Sequence, residues 1–341
     1  MMRRLSTPIV LVAAALAVAT SWGEFTEPVL AYLKIGTRVQ NRSVSLRWQD
    51  FPIRYYVTDQ GTAGVSANEF QSAVTRAFNT WNGVESVNLS SQFAGFTQAR
   101  PASDDGMVVI GYANRPELDR TLAATNFLFD VTSGEIVESD IFFNTAFLWS
   151  TAAAGESGRF DVESIALHEV GHLHGLGHSA LGETEIRPGG RRVLGAEAVM
   201  FPIAFSAGSI ADRTLKPDDI AGMTDLYPRN NAASRRLGSL TGKVTKNGAG
   251  VLGAHIVAFN PSTGALVGGF SLNDDGGFTI AGLEPGPYVL RVEPLDDGDV
   301  ESFLDRNAAV DMDFRVRFHD SLVVVPRGGG AREVEIKVSP K

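Results

Sequence analysis

Four of the six histidines in this 341-residue chain fall within eleven positions: His168, His172, His174 and His178. In a helix, His168 and His172 stand one turn apart and project from the same face. Glu169 follows the first of them, within reach of whatever the imidazoles hold. Gly175 is suited to end that helix, because a left-handed residue without Cβ closes a helix at little steric cost. The chain then turns back, and His178 offers a third nitrogen from below. Three protein donors leave a tetrahedral zinc one open position, the arrangement of catalytic rather than structural sites. The chemistry implied is hydrolysis. Zinc acidifies a water and polarises a carbonyl, while Glu169 takes the proton and passes it to a leaving amine. His174 lies off the ligand face and reads as a hydrogen-bonded or solvent-exposed bystander.

The elements that must position these residues are visible as patterns. Asp161 is the expected N-cap of the histidine helix, with Glu163 in its first turn. Upstream, Ser66 and Glu69 fit a capping box, and Phe70, Val74, Ala77, Phe78 and Trp81 recur at helical spacing as far as Gly83. Strands are expected at 47–57, with Ile53, Tyr55 and Val57 alternating against Arg54, Tyr56 and Thr58, and at 107–110, 125–129 and 134–144. Pro217 opens a last helix that runs to Leu226. Residues 229–236 are polar without an apolar period and read as a linker. Beyond them, alternating Gly- and Val-rich runs with turns at 261–264, 273–276 and 285–286 predict an all-β sandwich over 237–341.

The run from His168 to His178 resembles the zinc signature of the metzincin proteases. Ala198-Val199-Met200-Phe201-Pro202 fits their methionine turn. Ser179 after the third histidine, and Pro202 where astacins and serralysins place a tyrosine ligand, narrow the resemblance to the matrixins. Asp218-Asp219-Ile220 and Leu226-Tyr227 resemble the close of a matrixin catalytic domain, and 134–144 its strand ahead of the active-site helix. This resemblance covers about residues 45 to 228. It implies an α+β domain over 44–228, a twisted mixed sheet plus three helices. It also implies zinc on His168, His172 and His178, Glu169 as the base, and Met200 beneath the metal without binding it. A protein or peptide substrate would lie antiparallel on an edge strand. The segment 122–127 is the candidate edge, an ordinary buried strand being the other reading. The loop 195–206 would border the pocket for the side chain after the scissile bond, with Ala204 and Phe205 suggesting an apolar one. The chain departs from vertebrate matrixins in two ways. No histidine precedes His168 to hold a structural zinc, and without cysteine a thiol latency switch cannot operate.

In the second domain, Gly242-Lys243-Val244, Gly253-Ala254, Gly276-Gly277-Phe278 and the run 285–292 resemble the carboxypeptidase regulatory-like β-sandwich. Gly264 and Gly276 would make hairpin turns. Phe278, Leu283, Tyr288 and Leu290 would build the core between sheets. His255 and His319 read as structural or exposed.

With 44% hydrophobic and 20% charged residues, the composition is that of a folded chain. A net charge of −9 with only short basic pairs argues against a nucleic-acid partner. Arg3, Arg4, the apolar run 9–19 and Ala17-Val18-Ala19 predict an export signal over 1–23. A pro-segment or loose arm over 24–43 follows. The expected location is therefore secreted or extracellular, with the periplasm open, and no stable membrane insertion once the signal is removed. Asp104, Asp105, Asp130, Glu138 and Asp140 are candidates for a structural calcium, scattered surface carboxylates being the alternative. Three functions stay open: a secreted zinc endopeptidase, a catalytically idle surface-binding protein using the β-sandwich, and a zinc hydrolase of cell-wall peptides. Oligomeric state is not legible.

Overall fold

The computed structural model describes residues 16–17, 34–39, 42–188, 190–304 and 308–341. The expected export signal lies outside these residues apart from Leu16–Ala17, as do residues 24–33 of the expected arm. No helix among the described residues is long and apolar enough to cross a membrane.

The first domain is built on a six-stranded mixed sheet, with the two-residue strand Leu16–Ala17 at one edge and five longer strands beside it. The longer strands are β1 (Ile53–Thr58), β2 (Ser91–Thr97), β3 (Val108–Ala113), β4 (Ala123–Phe129) and β5 (Ile136–Asn144). They lie in the order β4-β5-β3-β1-β2, and every pairing is parallel except β4 with β5. Alternation is plain in β1, where Ile53, Tyr55 and Val57 are buried and Arg54 is exposed. The expected start of this strand at Arg47 is corrected to Ile53. Pro52 has no N–H to give a ladder, and the Trp48 N–H is taken instead by the Tyr227 hydroxyl at 3.0 Å. The expected arm is not loose where it is described, since Gly36–Val39 pairs antiparallel with Arg42–Ser45.

Two helices pack side by side on the sheet, α1 (Ala67–Asn82) and α2 (Val162–Leu173). Ser66 and Glu69 form the expected capping box on α1, and its apolar stripe of Phe70, Val74, Ala77, Phe78 and Trp81 is buried. Removing an aromatic of that size from water contributes about 2 to 3 kcal/mol. The indole also ties the helices together, because Trp81 Nε1 donates to the Leu167 carbonyl at 2.9 Å. A hairpin of β6 (Gly182–Arg187) and β7 (Gly190–Ala196) and a third helix, α3 (Pro217–Leu226), follow. Within the expected linker, residues Ala232–Arg236 form a short helix, α4, capped by Asn231.

The second domain is a two-sheet β-sandwich. One sheet orders β11 (Gly277–Leu283), β8 (Gly238–Lys246) and β14 (Val334–Val338); the other holds β9 (His255–Phe259), β10 (Leu266–Phe270), β12 (Gly286–Glu293) and β13 (Val323–Val325). Phe278, Leu283, Tyr288 and Leu290 sit in the core between them; Gly264 takes positive φ in the β9–β10 hairpin, whereas Gly276, also at positive φ, turns the chain from β10 to β11 in the other sheet rather than closing a hairpin. Helix α3 serves both domains. Its Ala221 is buried in the sandwich core, and Asp218 Oδ1 accepts the Gly268 N–H of β10 at 2.7 Å.

The start of α2 rests on one carboxylate. Asp161 Oδ2 accepts from the Ser164 N–H at 2.9 Å, and the two carboxylate oxygens receive Arg213 at 2.8 and 2.6 Å. Asp161→Ala removes the cap and the buried carboxylate that pairs with Arg213, so it should cost about 3 kcal/mol in urea unfolding. Asp161→Asn keeps a capping oxygen and should cost less. A loss below about 1 kcal/mol for the alanine variant would show that the helix start is held elsewhere.

Candidate metal centre

Helix α2 ends where the glycine suggested. His174 is its C-cap, and Gly175 follows at φ +99°. The Gly175 N–H donates to the His172 carbonyl and the Leu176 N–H to the Gly171 carbonyl, which is the paired closure of a Schellman turn. A Cβ on Gly175 would sit 2.2 Å from the Leu46 carbonyl oxygen, a second reason for glycine there. The turn reverses the chain and brings His178 back beneath the helix.

His168, His172 and His178 converge, each offering a nitrogen within 4.8 Å of the other two. All three are buried. Each ring is held from behind by a backbone carbonyl: His168 Nδ1 by Val199 at 2.7 Å, His172 Nδ1 by Leu176 at 2.7 Å, and His178 Nδ1 by Ser302 at 2.6 Å. A carbonyl can only accept, so each Nδ1 carries the proton and each Nε2 presents a bare lone pair. Burial favours the neutral rings, pushing His168 down to about 3 and His178 to about 4 and holding His172 well below the usual histidine value. Two of these lone pairs, on His172 and His178, face each other at 3.1 Å. His168 Nε2 is buried with no partner. Three proton-free nitrogens crowded around one point repel one another unless a cation lies between them. Zinc suits the set, since ligands at about 2.0 to 2.1 Å in a tetrahedron lie about 3.3 Å apart.

The base of the centre is equally specific. Met200 lies under α2, where a Cβ on Gly171 would meet its sulfur at 2.3 Å. Asp219 of α3 accepts the N–H groups of Val199 at 2.9 Å and Met200 at 3.1 Å, and Val199 in turn holds His168. The Met200 carbonyl accepts the Ser179 N–H at 2.9 Å, beside His178.

Glu169 is fully buried. Burial pushes its carboxyl up to about 8, opposed by a hydrogen bond from the Thr125 hydroxyl to Oε2 at 2.7 Å. Its other oxygen, Oε1, has no partner. His174 is not exposed. Its Nδ1 donates to the Val170 carbonyl at 2.7 Å, and its ring edge lies against Phe78, so the hydrogen-bonded reading of this bystander holds.

Strand β4, carrying Thr125, is the last long strand on one side of the sheet, and Leu16–Ala17 pairs outside it in parallel at Asn126 and Phe127. Ala204 and Phe205 are half-buried. The acidic candidates divide. Asp130 caps its own turn through the Thr132 and Ser133 N–H groups. Asp140 accepts the N–H groups of Ala102, Ser103 and Val109, and Glu138 that of Gly106, so these carboxylates tie down the 102–109 segment. His255 is buried against Glu293 at 3.0 Å, whereas His319 is half-buried, its Nδ1 2.8 Å from the Ser321 carbonyl. Sequence reasoning missed Thr125, Gly171 and Ser302. The first two carry no local pattern that marks contact with a helix in space, and the third belongs to another domain.

A metal-ready trio of histidines, a glutamate beside it and a methionine turn beneath it, all on a mixed α+β sheet, define the class. The comparisons then name the family. The Matrixin family model matches residues 47–228, more than half of the chain, and the carboxypeptidase regulatory-like domain model matches residues 239–317. The chain belongs to the matrixin family, whose members are zinc-dependent. Among curated relatives, Metalloendoproteinase 1 of Glycine max is 30% identical over 177 residues, 47% of this chain and 46% of that protein. Metalloendoproteinase 2-MMP of Arabidopsis thaliana is 28% identical over 176 residues, covering 48% and 38%. Interstitial collagenase of Oryctolagus cuniculus is 23% identical over 207 residues, covering 58% and 36%. The chain thus spans less than half the length of each of these relatives.

The full chain should carry one zinc per molecule by elemental analysis, and His178→Ala should reduce that content and lower Tm relative to the parent with zinc present. Parent protein that dialyses to zero zinc would contradict the fit.

Proposed function

We propose that this protein is a secreted zinc metalloendopeptidase. The observation that carries this reading is the pairing of three neutral, carbonyl-locked imidazoles with a buried glutamate whose Oε1 is unpartnered. Zinc, when bound, supplies a Lewis acid beside the scissile carbonyl. The chain's own residues do the rest. Thr125 fixes one oxygen of Glu169 and leaves Oε1 to take the proton of the attacking water. The elevated affinity of that carboxyl for a proton matches a base working near neutrality. The same oxygen then returns the proton to the departing amine as the peptide bond breaks. His168, His172 and His178 hold their orientation throughout, because their Nδ1 hydrogens are already committed.

Substrate would be an extended peptide lying along β4, in the manner of strand addition, with its next side chain toward the loop 195–206. Both the relatives named as metalloendoproteinases and the base favour peptide hydrolysis over an idle binding protein. An idle fold has no use for a buried carboxyl held at one oxygen and bare at the other. Arg3, Arg4 and the apolar run 9–19 support export.

Glu169→Ala should keep its zinc and lose about 100- to 10,000-fold in casein or gelatin cleavage. Thr125→Val removes a hydrogen bond that favours the ionised carboxyl, so the glutamate's pKa rises. The acid limb of the pH–rate profile should then move to higher pH. Cleavage that survives Glu169→Ala at the parental rate would sink the proposal, and an acid limb unmoved in Thr125→Val would remove Thr125 from it.

A further inference from the structure

The third histidine is locked differently from the other two. The carbonyls behind His168 and His172 belong to the first domain, at Val199 and Leu176, whereas the one behind His178 is Ser302, 124 residues away in the second. Ser302 ends a short 3-10 turn, Val300–Ser302, in the segment that leaves β12 after Glu293; among the described residues the next strand pairing is at Arg317. A sandwich needs only a short hairpin there, and connections longer than about 12 to 15 residues are uncommon without a task.

This segment is fastened to the first domain on both sides of Ser302. Asp297 accepts the Thr184 N–H through Oδ1 at 2.9 Å, and its carbonyl accepts the Thr184 hydroxyl at 2.8 Å, fixing it to β6. Arg191 of β7 donates to the Asp296 carbonyl at 3.0 Å. On the other side Phe303 is buried with Ala180, two residues past His178, and its ring lies 6.0 Å from Phe270. Phe303 also closes the turn, its N–H donating to the Val300 carbonyl at 2.9 Å.

We infer that the β-sandwich is part of the metal centre. Its 294–304 segment holds the His178 imidazole through the Ser302 carbonyl and thereby sets how tightly the three histidines bind zinc. Ser302 is a positioning residue and touches no substrate. The physical reason is the one that makes outer hydrogen bonds matter at any histidine site. An Nδ1–H bonded to a carbonyl fixes the tautomer, stops the ring from turning, and makes Nε2 the better donor. His178 stands after the helix, on chain that has already turned back, so it lacks the rigidity that α2 gives His168 and His172. The second domain supplies it.

This inference rests on the zinc reading above, and one experiment separates the two. Zinc affinity of the full-length protein is measured by competition with a chromophoric chelator, alongside Tm of the metal-free form. Phe303→Ala, which loosens the segment, should weaken zinc binding by about 10- to 100-fold. Phe303→Leu, which refills the apolar site, should recover most of it. Asp297→Ala cuts the tie to β6 at a polar position and should weaken zinc in the same direction, giving a second variant should Phe303→Ala fail to fold. Ile336→Val, in the sandwich core away from the segment, should lower Tm and leave zinc affinity unchanged. A parent that binds zinc tightly while folded Phe303→Ala or Asp297→Ala matches it overturns this inference alone. A parent that binds no zinc overturns the reading of the centre together with it.

Discussion

Three imidazole lone pairs aimed at one point are the constraint on which the structure depends. Left to themselves, buried rings would turn their acceptors apart or pair them with donors. Here each ring is denied that choice because its only proton is held by a carbonyl behind it. The repulsion remaining between His172 and His178 Nε2, 3.1 Å apart, is what a cation relieves. Removing any one carbonyl would free a ring to rotate and spend that tension without a metal.

Each carbonyl has its own structural origin. Leu176 is set by the glycine closure of α2, which cannot form with a Cβ at 175 because the Leu46 carbonyl already occupies the space. Val199 is set by Asp219, whose two oxygens hold the backbone of the methionine turn from α3. Its neighbour Asp218, pushed up to about 7 by burial, reaches the other way to β10. One turn of helix therefore joins the floor of the centre to the sandwich. Ser302 arrives from that sandwich directly. The two domains are coupled at α3 and again at His178, so the second domain bears on the chemistry of the first.

Much of this was legible in the chain, and the limits have physical causes. The helix caps at Ser66 and Asp161, the stripe from Phe70 to Trp81 and the helix at Pro217 rest on local spacing, which sequence displays. The histidine trio rests on spacing too. Strand β2 and the hairpin β6–β7 escaped notice because their burial is partial and their alternation weak, Ile186 being largely exposed. The alternation at 53–58 extends the expected strand back to Arg47, yet a tertiary hydrogen bond from the Trp48 N–H to the Tyr227 hydroxyl decides the backbone there. Thr125 and Ser302 were out of reach for the same reason at longer range. A hydroxyl 44 residues from Glu169, or a carbonyl 124 residues from His178, leaves no periodicity behind.

In the proposed centre three Nε2 atoms, and no carboxylate or thiolate, hold the metal. X-ray absorption at the zinc edge of the full-length protein reads this directly. The expected shell is three imidazole nitrogens and one oxygen from solvent at about 2.0 to 2.1 Å, with the multiple scattering of three rings. A shell with fewer than three imidazoles, or one completed by an additional protein carboxylate, would contradict it.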